Sequence, residues 1–255
     1  MKPDRLLVAA LFAVVSLLAS PQAFAGSVNV AVAANFTEPA KEIAAAFKAK
    51  TGHDAVLSFG ASGQFYTQIK ENAPFGIMLS ADDERPKKLV DDGLGVASSR
   101  FTYAIGKLVL WSKDPSTVKG EETLRANAFN KLSIANPTAA PYGAAAVETL
   151  KALKLYDTLE PKIVKGNSIG QAFQFVDTGN AELGFVALSQ LMPNAGGSRW
   201  MVPQNLYTEI RQDAVLLKSA ESNEAAAAFL IFLKSPEART VIEKFGYALD
   251  PKSAS

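Results

Sequence analysis

The sequence predicts an α/β chain folded into two lobes, each a mainly parallel sheet flanked by helices, with a ligand cleft between them. Three observations predict this. Short runs of β-forming apolar residues alternate with helical patterns along the chain, as parallel strands joined by covering helices require. The alternation forms two series, each about the size of a compact domain. Two long segments, Phe101 to Trp111 and Tyr207 to Leu217, stand where the chain would cross between the series. These place one lobe at 26–104 together with 212–255 and the other at 105–211.

The elements follow in order. Val28 to Ala34 reads as a buried strand. Phe36 to Lys50 has helical spacing, with Ile43, Ala46 and Phe47 on one face. Ala55 to Phe59 is a strand, Gly63 to Asn72 a helix, Phe75 to Leu79 a strand and Glu84 to Asp92 a helix. After the apolar segment from Phe101, Leu132 to Ala135 is a short strand closed by the turn signal Asn136-Pro137. Gly143 to Leu155 is a helix, Lys162 to Lys165 a strand, Gly170 to Thr178 a helix and Leu183 to Ala187 a strand. Ala214 to Leu217 is a last strand, and two helices, Asn223 to Lys234 and Pro236 to Phe245, close the chain.

The first 25 residues read as a cleavable export signal. Lys2 and Arg5 supply a positive start, Leu6 to Ala19 an apolar run, and Ala23-Phe24-Ala25 the small residues that a signal peptidase reads. The run is too short to span a bilayer core of about 30 Å comfortably. No cysteine marks a lipid attachment site. The expectation is an exported protein of a bacterial periplasm.

Composition removes whole classes of chemistry. The 255 residues carry a formal net charge of +1, so bulk charge does not recruit nucleic acid. There is no cysteine, which excludes disulfides, thiolate catalysis, iron–sulfur clusters and cysteine zinc sites. The one histidine, His53, excludes zinc sites built on several histidines. No nucleophile elbow or histidine dyad is visible, and Gly106-Lys107 lacks the upstream glycine spacing of a P-loop. These absences argue against an enzyme. The acidic run Asp82-Asp83-Glu84 reads as a helix start favoured by the dipole, and His53 as a surface-loop residue.

In open α/β sheets, ligands bind beyond the carboxyl ends of strands, often at helix N-termini. Four strand-to-helix loops therefore matter. In Ala33-Ala34-Asn35-Phe36, Asn35 followed by Glu38 has the spacing of a capping box, and Pro39 fits a first turn. In Gly60-Ala61-Ser62-Gly63, small residues let backbone approach a ligand, and Ser62 can either cap its helix or offer a hydroxyl and an amide to an oxyanion. Pro141 suits a helix start and puts Tyr142 in the first turn with a free N–H. In Asn167-Ser168-Ile169-Gly170, Asn167 or Ser168 is the cap, and Ile169 offers only its backbone N–H. Each loop alone is explained by capping or packing. Four of them, two per lobe, would make an anion site without lysine or arginine.

These same loops, with Ala73-Pro74-Phe75, Leu79-Ser80-Ala81-Asp82, Arg100 to Ser112 and Leu183 to Ala187, carry a resemblance over nearly the whole exported chain. The chain resembles the periplasmic molybdate-binding proteins that feed ABC-type importers. The resemblance implies the two-lobed periplasmic binding protein fold, a monomer, molybdate or tungstate as ligand with no cofactor and no directly bound cation, and an inner-membrane ABC permease as partner. It carries the oxyanion-binding positions onto Ala34, Asn35, Ser62, Tyr142 and Ile169. Some members have a hydroxyl residue in the first loop, where this chain has Ala34 and Asn35. Some have a tyrosine hydroxyl where it has Ala187. Rival readings are a binding protein for sulfate, phosphate or a small organic anion, an enzyme, and a protein that binds only a partner chain.

Overall fold

The computed structural model describes residues 25–192 and 196–251. The leader expected over 1–25 lies outside them, Ala25 apart. Among the described residues the strands are β1 (Ser27–Ala33), β2 (Asp54–Gly60), β3 (Ile77–Leu79), β4 (Phe101–Gly106), β5 (Leu108–Ser112), β6 (Leu132–Ala135), β7 (Ile163–Gly166), β8 (Leu183–Ala187), β9 (Ser198–Met201) and β10 (Ile210–Leu216). The helices are α1 (Thr37–Thr51), α2 (Ser62–Lys70), α3 (Glu84–Asp91), α4 (Glu122–Ala126), α5 (Pro141–Ala152), α6 (Tyr156–Leu159), α7 (Ile169–Asp177), α8 (Leu188–Leu191), α9 (Glu224–Leu233) and α10 (Pro236–Lys244).

The strands form two five-stranded sheets, ordered β2-β1-β3-β10-β4 and β7-β6-β8-β5-β9. The two orders follow one plan. In the first, β1 runs parallel to β2 and β3, and β10 antiparallel to β3 and β4. In the second, β6 runs parallel to β7 and β8, and β5 antiparallel to β8 and β9. Both sheets are thus mixed, with one reversed strand in each. That strand is delivered from the other half of the chain, which is why local pattern could not show its direction.

The apolar stretch Phe101 to Trp111 is not one crossing element. It divides at Lys107 into β4, which pairs with β10, and β5, which pairs with β8 and β9. The chain changes sheet there within a single residue. The other crossing precedes β10, after β9, a strand that the sequence reading missed.

Two large apolar clusters hold the sheets to their helices. Phe36, Ile43, Phe47 and Phe229 are fully buried against β1 and β3, with Phe47 and Phe229 edge to face at 5.2 Å. Leu108, Leu110, Leu132, Ile134 and Phe185 fill the second core. Each such side chain contributes roughly 1.5–3 kcal/mol by leaving water, so the strands are held rigid where they end at the cleft. Helix α1 stops at Gly52, whose φ of 76° is the left-handed cap that glycine adopts without penalty.

Candidate anion-binding site

Each of the four loops ends a strand and opens a helical turn at the junction of the two sheets. After β1 comes a 3-10 turn, Ala34–Phe36. After β2, Ala61 precedes α2, which starts at Ser62. Beyond β6, Pro141 and Tyr142 begin α5; beyond β7, Ile169 begins α7. Ala34, Asn35, Ser62, Tyr142 and Ile169 line one small cavity of about 10 Å³. That is about the space that one water needs, far below the ~300–1,000 Å³ of pockets for larger ligands. No charged side chain is in its wall. Ser62, Tyr142 and Ile169 stand in the first turns of α2, α5 and α7, where N–H groups have no intrahelical acceptor and the helix dipole is positive.

The two sides of the cleft touch. Gly63 N donates to Ala139 O at 2.9 Å, Arg85 Nη2 to Thr138 O at 2.9 Å, and Ser189 Oγ to Asn35 O at 2.7 Å. A wider groove of about 250 Å³ opens beyond Ala81 and Pro141, but Asp82, Glu148 and Glu209 line it with Arg85 and Arg211. Carboxylates there oppose an anion, so the neutral cavity is the better anion site.

Ser62 is buried, and its Oγ accepts from Ala81 N at 2.9 Å. It does not cap α2, as it could have done; the residue before that helix is Ala61. With that acceptor role filled, the hydroxyl still has its own proton to give. Ser62 can therefore donate to a ligand in the cavity that it lines.

Asn35 departs from the capping reading more sharply. Thr37 rather than Asn35 opens α1, and no side chain caps it. The Asn35 side chain turns inward instead. Its Nδ2 donates to Gln212 Oε1 and to Tyr247 Oη, both at 2.8 Å. Gln212 Nε2 in turn donates to Tyr142 Oη at 3.1 Å, and Tyr103 Oη lies 3.1 Å from Gln212 Oε1 and 3.0 Å from Ser80 O. Tyr247 Oη also reaches Asn35 O and Ser189 Oγ. This buried polar ring joins both sides of the cleft beneath the cavity. Asn35 Oδ1 is left without a hydrogen-bond partner.

Burial pushes the Tyr103, Tyr142 and Tyr247 hydroxyls well above the ordinary phenol range, at Tyr247 against the hydrogen bonds it shares with Ser189, Asn35 and Tyr142. All three stay protonated in the fold, whereas an unfolded tyrosine loses its proton near pH ~10. Their contribution to stability is full below about pH 10 and falls as the pH rises through and beyond it. Denaturant midpoints measured across that range are expected to drop, and less so in Tyr103→Phe.

Ser168 caps α7, its Oγ accepting from Gln171 N at 3.3 Å. Ser168→Ala is expected to cost about 1 kcal/mol of stability by chemical denaturation. Asp82 Oδ1 accepts from Arg85 N at 3.0 Å, the helix-start role expected of the acidic run. His53 is half-buried, accepts from Gly26 N at 2.9 Å and stacks on Phe47. Ala187 is buried and outside the cavity wall. Among the described residues no group of histidine, aspartate and glutamate is placed to hold a metal ion.

The structure brings together all five residues singled out from the sequence. Sequence reading missed Gln212, Tyr103, Tyr247 and Ser189. The one available signal was a glutamine between an arginine and an aspartate in a strand that otherwise holds only Ile210 and Ala214 to Leu216.

The family described as bacterial extracellular solute-binding protein matches residues 28–248. A molybdate-binding protein ModA of Rhodobacter capsulatus is 56% identical over 238 residues, covering 93% of this chain and 94% of its own. ModA of Azotobacter vinelandii is 55% identical over 229 residues, covering 88% and 91%. The solved structure of the Azotobacter vinelandii periplasmic molybdate-binding protein superposes with a TM-score of 0.85 at 41% identity, covering 88% of this chain and 99% of that one.

Proposed function

Because the chain belongs to the bacterial extracellular solute-binding proteins, we propose that it captures molybdate, or tungstate, in the periplasm and delivers it to an ABC-type importer. The Ser62 hydroxyl carries this reading. Ala81 N–H holds one of its lone pairs and orients it, and its proton is left to offer a cavity with no charged side chain in its wall. Backbone N–H groups of Ala34, Asn35, Tyr142 and Ile169 would complete the donor set. Neutral donors at helix starts suit a dehydrated dianion. They stand on rigid elements and cannot close in on a smaller ion, so sulfate should be held less well.

In this reading the lobes are 26–104 with 212–255, and 105–211, behind a cleaved leader of 25 residues. The protein acts as a monomer. The lobes swing about Lys107 and the segment before β10, and the closed form docks on an inner-membrane permease. The radius of gyration in solution scattering is expected to fall when molybdate is added; identical profiles would remove the closure step.

The test is thermal unfolding of the exported chain alone and with molybdate, tungstate, sulfate or phosphate, since a ligand held only by the folded state raises the midpoint. A rise with molybdate and tungstate but not with sulfate is the expected result. A rise with sulfate or phosphate alone would keep the anion site and overturn the ligand.

A further inference from the structure

The ring beneath the cavity has an unresolved account at one atom. Asn35 is only 2% exposed and lines the cavity, yet its Oδ1 accepts nothing while its Nδ2 is spent on Gln212 and Tyr247. A buried acceptor without a donor is costly. Beside a fully deprotonated oxyanion it is worse, because both atoms carry lone pairs.

The same heavy-atom positions accept a second proton arrangement. Amide oxygen and nitrogen exchange places when the group turns over. If Asn35 and Gln212 turn together, Gln212 Nε2 donates to Asn35 Oδ1 and to Tyr103 Oη. Tyr247 donates to the same Oδ1, Tyr142 donates to Gln212 Oε1, and Tyr103 donates to Ser80 O. Every acceptor of the amide pair is then satisfied, and Asn35 Nδ2 is free to donate to the anion. Asn35 cannot turn alone, since its Oδ1 would then meet Gln212 Oε1 at the 2.8 Å now spanned by a hydrogen bond. The three phenols can adapt because a hydroxyl both donates and accepts.

We propose that Gln212 is a positioning residue that sets which end of the Asn35 amide faces the oxyanion, and so tunes the site to ions with no proton. Strand β10 shifts register between Gln212 and Asp213 against β4, and such bulges re-aim side chains. Gln212 is fully buried and is the residue in contact with Asn35, Tyr103 and Tyr142 together. Phosphate near neutral pH keeps a proton and can satisfy the acceptor end of Asn35. Molybdate is fully deprotonated there and requires the donor end.

This inference rests on the molybdate reading, and the experiment separates the two. Side-chain amide signals of Asn35 and Gln212 are followed by 15N NMR while wild type is titrated with sodium molybdate. Affinity and unfolding midpoint are measured beside it for Gln212→Met, which keeps the volume and removes both polar atoms. The two amide pairs are expected to shift together in wild type. In Gln212→Met the molybdate Kd is expected to rise at least about tenfold, with the Asn35 signal no longer following the titration. A wild type that binds molybdate without movement of the Asn35 and Gln212 amides overturns the proposal. So does a Gln212→Met protein of unchanged affinity. A wild type that binds no molybdate overturns the function and this inference with it. The wild-type titration decides even where the variant does not fold.

Discussion

Ser62→Ala is expected to weaken molybdate binding by roughly 1–3 kcal/mol, about one to two powers of ten in Kd. The reason is specific to this hydroxyl. Ala81 N–H holds the hydroxyl in place at 2.9 Å and burial keeps water away, which leaves its proton for an ion in the cavity. A hydrogen bond to a charged acceptor in a dry site is among the strong ones. Alanine removes it and leaves Ala81 N–H without its acceptor, so a smaller loss of stability of the free protein accompanies the loss of affinity. Isothermal titration with molybdate, beside denaturant unfolding without ligand, separates the two. Equal affinity in variant and wild type would remove Ser62 from the site. A stability loss alone would make it a structural hydroxyl.

Gly106→Ala is expected to damage stability and binding together. A Cβ at this position would lie 2.1 Å from Tyr142 Oη and 2.6 Å from Gln212 Nε2. Both side chains are buried and hydrogen-bonded to each other, so neither can give way freely. Overpacking of this kind costs roughly 1–3 kcal/mol, and displaced Tyr142 also carries the start of α5 away from the cavity. For a chain of this size each kcal/mol lowers the unfolding midpoint by roughly 2–4 °C. A Gly106→Ala protein with the wild-type midpoint and affinity would show that the ring under the cavity is not rigid, and would weaken the case for Gln212 as well.

Much of this was legible in residues close in sequence. The β1, β6 and β8 runs are short and apolar, and the helices after β1 and β6 carry a one-sided apolar pattern. Their boundaries fall within a few residues of expectation. Ser62, Tyr142 and Ile169 were found because strand-to-helix loops of small residues predict exposed N–H groups whatever the distant packing. The reversed strands were not legible. Nothing within Leu108–Ser112 or Ile210–Leu216 records that each is inserted against the grain of its sheet. The capping reading of Asn35 also failed for a distant reason. Its spacing to Glu38 is correct for a cap, but Gln212, 177 positions away, and Tyr247, 212 away, take its amide.

The sequence by itself determined the class of fold, the four loops that end at the cleft, and the absence of thiol and multi-histidine chemistry. Those depend on local periodicity, on turn-forming residues and on composition. The tertiary structure decided which loops share one cavity, which proton Ser62 has to spare, and that three phenols and a glutamine stand behind Asn35. Hydrogen-bond direction is set by what lies across the fold from each donor and acceptor. A chain records that only after β10 and the segment following α10 have been brought against the first loop.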